Sequence, residues 1–120
     1  MLVKTIQNIF AFEANDKTII KEILHPKNDL IELGYSLAHG SLPARQSSLP
    51  HCLAGQSEVY LFLRGQGRMV IGDEERNISG GDVVHVPVGA RQYVENQEDE
   101  PLEFFCIVSP PWIEEDDLVL

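Results

Sequence analysis

The 120-residue chain predicts an all-β fold, a sandwich or barrel, and three observations carry the prediction. Short runs rich in branched and aromatic residues recur along its length. Turn signals built from Gly, Pro, Asn and Asp separate them roughly every eight to twelve residues. No segment sustains a helical apolar period long enough to stand as a helix. Strands this short bury a face only against a second sheet, and a chain of this length supports one core, so residues 1–120 read as one domain.

Residues 3–13 (VKTIQNIFAFE) alternate loosely and suit an edge strand or one crossing to another subunit, and Asn15-Asp16 turns the chain. Lys17 to Leu24 fits either a strand or two helical turns. The strand is preferred because His25-Pro26 biases His25 away from helix, and Lys27 to Asp29 supplies turn chemistry. Leu30 to His39 alternates again, with Leu33, Tyr35 and Leu37 on one face and Gly34 as a bulge or a close backbone approach. Gly40 to Pro50 is rich in Gly, Pro and Ser and reads as loop.

Ser57 to Leu63 (SEVYLFL) is the clearest strand, stopped by Arg64-Gly65-Gln66-Gly67, with Arg68 to Ile71 pairing back. Gly72 to Glu75 is a hairpin turn, Arg76 to Ser79 a short strand, and Gly80 to Asp82 a turn. Val83 to Pro87 and Arg91 to Glu95 are strands around the turn Val88 to Ala90, and the acidic run Asn96 to Glu100 is a solvated loop. Leu102 to Val108 (LEFFCIV) reads as a strand covered on both faces, ended by Ser109-Pro110-Pro111. In the acidic tail 112–120, Trp112 is expected to pack on the barrel and the rest to fray.

Nine Lys and Arg against 19 Asp and Glu leave a net charge of −10, which repels phosphate backbones and anionic lipid. Nucleic acid and membrane are therefore not expected partners. The opening MLVKTIQNIF is too short and too polar for a signal peptide, and a soluble, cytoplasmic protein is expected. Cys52 and Cys106 form neither a disulfide framework nor a CxxC motif, and read as small, partly buried thiols.

From Pro50 onward the chain resembles the cupin superfamily of small jelly-roll barrels, which two motifs define. The second motif reads Gly, five residues, Pro-x-Gly, two residues, His, three residues, Asn. Gly81, Pro87, Gly89, Gln92 and Asn96 match every spacing within residues 81–96, with Gln92 at the histidine position. In the first motif, residues 45–65, His51, Glu58 and Gly65 match. Arg45 stands where the family has Gly, and Leu53 where it has a second His. The wording LPHCLAGQSEVYLFLRGQG resembles a subgroup of small cupins in which that second His is replaced and the last ligand is Gln. The resemblance implies a single jelly-roll barrel of two antiparallel sheets and, for a cupin this small, a homodimer.

It also implies a divalent metal ion, iron, manganese, nickel or zinc, held by His51, Glu58 and Gln92. Leu53 cannot ligate, and the set of one nitrogen and two oxygens is harder than usual. Each residue has a structural alternative. His51 also reads as a satisfied histidine at the barrel mouth, Glu58 as a rim carboxylate, and Gln92 as a core hydrogen-bonder. Glu58 inside so apolar a strand is costly to bury ionised without a partner. His85 in VVHVP is a possible additional ligand if its face points inward, and otherwise a structural histidine. His25 and His39 lie near turns and read as surface residues. Leu53, Tyr60 and Phe62 are expected to line the pocket, while Cys52 alternates away from His51.

Three functions stay open. One is a metal-binding cupin with an oxygenase-type activity on a small organic substrate, because an incomplete ligand set leaves coordination positions free. Another is a metal-free small-molecule binder or sensor. The third is a metal-independent sugar isomerase or epimerase, for which His51 and Tyr60 are the only acid and base pair. Fold alone does not choose among them.

Overall fold

The computed structural model describes residues 1–120 as two antiparallel sheets facing each other. One sheet has six strands in the order β1 (Phe12–Glu13), β2 (Ile19–Leu24), β3 (Ser36–Leu42), β10 (Leu102–Ser109), β5 (Ser57–Arg64) and β8 (Val83–Val86). The other has five: β11 (Asp117–Val119), β4 (His51–Leu53), β9 (Gln92–Glu95), β6 (Gln66–Ile71) and β7 (Glu74–Ser79). No helix is long and apolar enough to cross a membrane.

Alternation decides which side chains meet inside. On β5, Glu58, Tyr60 and Phe62 are buried while Val59 and Leu61 between them are half-buried, as period-2 geometry requires. Central β10 buries Leu102, Phe104, Cys106 and Val108. Its other face is only partly covered and leaves Ile107 exposed, so the expectation of cover on both faces fails at that residue. Leu42, Phe62, Met69, Ile78, Val86, Val94, Leu102 and Phe104 form the packed core with Tyr60 and Cys106. The Phe62 and Phe104 rings meet edge to face at 5.6 Å.

Turn chemistry fixes the registers. Ile71 pairs with Glu74 across the two-residue turn Gly72-Asp73, with Gly72 at φ 56°. Arg45, standing where the family motif has glycine, adopts φ 64°, the left-handed conformation that glycine takes without strain. Its backbone N–H donates to the Glu98 carbonyl, and its side chain reaches Asp99 and the Gln97 carbonyl. Buried Asn96 pins the same corner. Its amide nitrogen donates to the carbonyls of Leu42, Pro43 and Glu100, and its oxygen accepts from Glu98 N–H.

Several local expectations are corrected. The N-terminal strand shrinks to Phe12–Glu13 after a 3₁₀ turn at Ile6–Asn8, and of the earlier apolar residues Ile6 and Ile9 are half-buried while Leu2, Val3 and Phe10 are exposed. Pro26–Asp29 is a single helical turn capped by His25, whose Nδ1 accepts from Lys27 N–H. His25 is therefore buried rather than on the surface, and its Nε2 donates to the Trp112 carbonyl at 2.7 Å. His39 is half-buried beside Glu103. Strand β3 begins at Ser36 and runs into the expected loop, through Gly40 to Leu42. The close approach belongs to Gly40, not Gly34: a Cβ on Gly40 would lie 2.3 Å from the Phe104 ring, whereas Gly34 faces open space. The tail does not fray, because β11 pairs with β4 from Asp117 opposite Leu53 to Val119 opposite His51.

Candidate functional site

A cavity of about 80 Å³ opens between the sheets where the packed core stops, and Tyr60, Phe104 and Cys106 belong to both. His51, Leu53 and Glu58 complete its inner wall. Strand β2 and the turn before it add Asp16, Thr18, Ile20 and Glu22, and the tail adds Trp112 and Asp117.

His51 opens β4, directly opposite Gln92 on β9, with its side chain only 5% exposed. Its Nδ1 lies 3.0 Å from the Leu49 carbonyl oxygen. A carbonyl only accepts, so in this contact Nδ1 carries the proton and Nε2 keeps the lone pair. Nε2 makes no hydrogen bond. Asp16 Oδ2 stands 3.6 Å from the same Nδ1, and Asp16 is fixed by Thr18, whose N–H and hydroxyl donate to Oδ1 at 3.1 and 2.6 Å. This arrangement holds the ring in one tautomer, in the way an orienting carboxylate does.

Glu58 sits across the cavity wall on β5. Burial pushes its carboxyl above the usual range, while the nearby His51 ring and hydrogen bonds from Gln92 and Cys106 pull it partly back. Burial also drives the Tyr60 phenol well up, with the neighbouring Glu58 charge adding to the effect, and the Cys106 thiol rises for the same two reasons. Tyr60 Oη donates to Gln92 Oε1 at 2.7 Å, and Gln92 Nε2 donates to Glu58 Oε1 at 2.9 Å. Tyr60, Gln92 and Glu58 thus form one buried chain of hydrogen bonds.

The expected site residues separate accordingly. His51, Leu53, Glu58 and Tyr60 line the cavity. Gln92, 1% exposed, stands behind Tyr60 and Glu58 and is no part of the wall. Phe62 packs in the core instead of lining the pocket. His85 is exposed on the outer face of β8, where Val84 and Val86 take the inward positions, so it cannot replace the missing second His. Asp16, Trp112 and Asp117 join the site without having been expected. Asp16 read only as a turn residue, and the tail only as packing followed by frayed chain.

The donor set does not fit a resident divalent cation as it is bonded. No three His, Cys, Asp or Glu side chains lie together as a metal-holding group. Gln92 Oε1, the remaining oxygen, accepts from Tyr60 and lies behind the cavity wall rather than on it. That leaves one imidazole and one carboxylate, fewer than the three protein ligands common in catalytic centres.

The family model for the cupin domain matches residues 39–108, more than half of the chain. An uncharacterised protein of Methanocaldococcus jannaschii is 31% identical over 120 residues, covering 99% of this chain and 95% of that protein. Among solved structures, a predicted oxalate decarboxylase from Thermotoga maritima superposes with a TM-score of 0.80 at 21% identity, covering 91% of this chain and 99% of that one. A Streptomyces nucleoside dehydratase solved with uridine gives a TM-score of 0.80 at 15% identity, covering 100% of this chain and 90% of that one.

Proposed function

Since the chain belongs to the cupin family, we propose that its barrel binds a small organic molecule without a resident metal, with His51 exchanging a proton with it. The observation that carries this reading is the state of His51: Nδ1 is held between the Leu49 carbonyl and Asp16, while Nε2 is unpartnered in a cavity-lining, nearly buried ring. A ring held this way is set up to take a proton at Nε2. Glu58 opposite, its carboxyl pushed upward by burial, is the second group that can exchange a proton, held neutral by burial alone and ionised beside a cationic ligand. Tyr60 and Gln92 hold Glu58 in place through the hydrogen-bond chain. Structural likeness to a nucleoside dehydratase and to a predicted oxalate decarboxylase agrees with small-molecule chemistry in this kind of barrel, without transferring either substrate.

Elemental analysis tests the reading, using the untagged parent and a His51→Ala, Gln92→Ala variant after dialysis against a weak chelator. Sub-stoichiometric metal in both proteins, with the parent's His51 imidazole NMR signals unchanged by added zinc or manganese, is the expected result. Near-stoichiometric metal in the parent that is lost in the variant would replace this reading by a metal centre at His51, Glu58 and Gln92, of the kind the family resemblance implies.

Two copies are further proposed to pair through the N-terminal segment. Val3, Phe10 and Phe12 are exposed there without cover, Phe10 at 93%. A compact monomer by sedimentation at micromolar concentration would overturn this pairing.

A further inference from the structure

The charge of the cavity wall restricts what can enter it. Four carboxylates line it, those of Asp16, Glu22, Glu58 and Asp117, and no Lys or Arg does. Lysines on the neighbouring segments are engaged elsewhere, Lys17 with Glu13. Lys4 donates to the Ile23 carbonyl and to Asp29, and Lys21 to the Ile6 carbonyl. A carboxylate or phosphate ligand would enter a partly desolvated space with like charge around it and no compensating cation.

One buried carboxylate oxygen on the wall also lacks a partner. Asp117 Oδ2 accepts from Trp112 Nε1 at 2.9 Å, whereas Asp117 Oδ1 is buried with no hydrogen-bond donor. His51 Nε2, on the same wall, makes no hydrogen bond within the protein. An unpaired buried carboxylate oxygen calls for a donor that the protein does not supply. Aromatic rings of Phe12, Tyr60, Phe104 and Trp112 share the wall, and their faces favour a cation over an anion. The volume of about 80 Å³ is well below the roughly 150 Å³ that holds a benzene ring, so the ligand has only a few heavy atoms.

We propose that the cavity takes a small primary amine in its ammonium form, which donates to Asp117 and Glu58 while its alkyl part lies against the aromatic wall. This rests on the reading of the barrel as a small-molecule site and names the ligand class for it. It sets the chain apart from an acid-binding site, whose substrate would need a cation in the wall.

The test is a titration of the full-length protein with three probes of matched size, propylammonium, propanol and propanoate, near neutral pH. Calorimetry and the His51 imidazole NMR signals serve as readouts. Propylammonium is expected to bind about tenfold tighter than propanol, with no saturable binding of propanoate. Asp117→Asn and Glu58→Gln, both isosteric, are each expected to weaken propylammonium by about tenfold while changing propanol by less than about threefold. Equal affinities for the three probes, tighter propanoate, or propylammonium binding untouched by both variants would overturn the amine assignment. If propanol or propanoate still shifted the His51 signals, the binding site would stand without that assignment. If no probe moved them, the site and the assignment would fall together.

Discussion

The Tyr60 phenol donates a 2.7 Å hydrogen bond to the amide oxygen of Gln92, and that contact assigns Gln92 a supporting role behind the cavity. Tyr60→Phe keeps the ring in its packed position but leaves Gln92 Oε1 buried without a donor, at a cost of about 1–3 kcal/mol. Gln92→Leu removes partners from Tyr60 and Glu58 together and is expected to cost more than Tyr60→Phe. Urea denaturation of the parent and both variants measures this. Equal stability of all three would mean that water satisfies these groups and that the chain of hydrogen bonds is not structural.

Glu58 makes stability depend on pH in a direction that can be worked out. Burial raises its folded pKa above the ordinary value of 4.5, so ionisation costs the folded state. That cost is absent below the unfolded pKa and grows as pH rises through it toward the raised folded value. Glu58→Gln removes the cost and keeps the shape. The variant should match the parent below about pH 4 and melt higher near neutral pH. A difference that shrinks with rising pH, measured by thermal melts across that range, would show that His51 and Gln92 outweigh burial at this carboxyl.

A glycine at a strand crossing gives a sharper packing test. Gly40 on β3 lies opposite Phe104 on β10, and the Phe104 ring, 1% exposed, rests on it. Gly40→Ala puts a methyl into a ring that has no room to move and should cost about 1–3 kcal/mol. Gly34→Ala meets no atom within 4 Å and should stay within about 0.5 kcal/mol. Denaturation midpoints that reversed this order would contradict the packing around Phe104.

The sequence carried more of the barrel than of its ends, for physical reasons. Period-2 patterning placed Glu58, Tyr60 and Phe62 on one face because strand geometry leaves few alternatives. It could not tell that Tyr60 faces the cavity while Phe62, one repeat further on, is sealed in the core, since that depends on where the opposite sheet closes. Glycines punctuated the turns legibly. Arg45 did not, because an arginine held at φ 64° by Asp99 and the Glu98 carbonyl carries no local signature of the turn it makes. Asp16 and Asp117 reach the cavity through contacts 35 and 64 positions from His51 and Leu53 respectively, and long-range proximity of this kind is invisible to pattern and propensity. The tail was misread because three residues of β11 are too few to give a strand signal without their partner β4.

If the barrel lacks only donors, adding them should create a metal site. Leu53 shares the inward face of β4 with His51, and Gln92 faces His51 across the β4–β9 pair. These are the two positions at which the family motif has histidine. Leu53→His with Gln92→His would put imidazoles at 51 and 53 on the cavity wall and a third at 92, directly opposite His51 and beside the Glu58 carboxylate, enough donors for a tetrahedral or open six-coordinate centre. Loss of buried Leu53 should lower the stability of the metal-free variant by about 2–5 kcal/mol. Added zinc or manganese should restore much of it, because a ligand that binds only the folded state stabilises it by mass action. The expected outcome is about one equivalent of metal retained by the variant after dialysis, with a melting point that rises with metal concentration, against neither effect in the parent. A folded variant that retained no metal would show that the strands hold these side chains too far apart to converge.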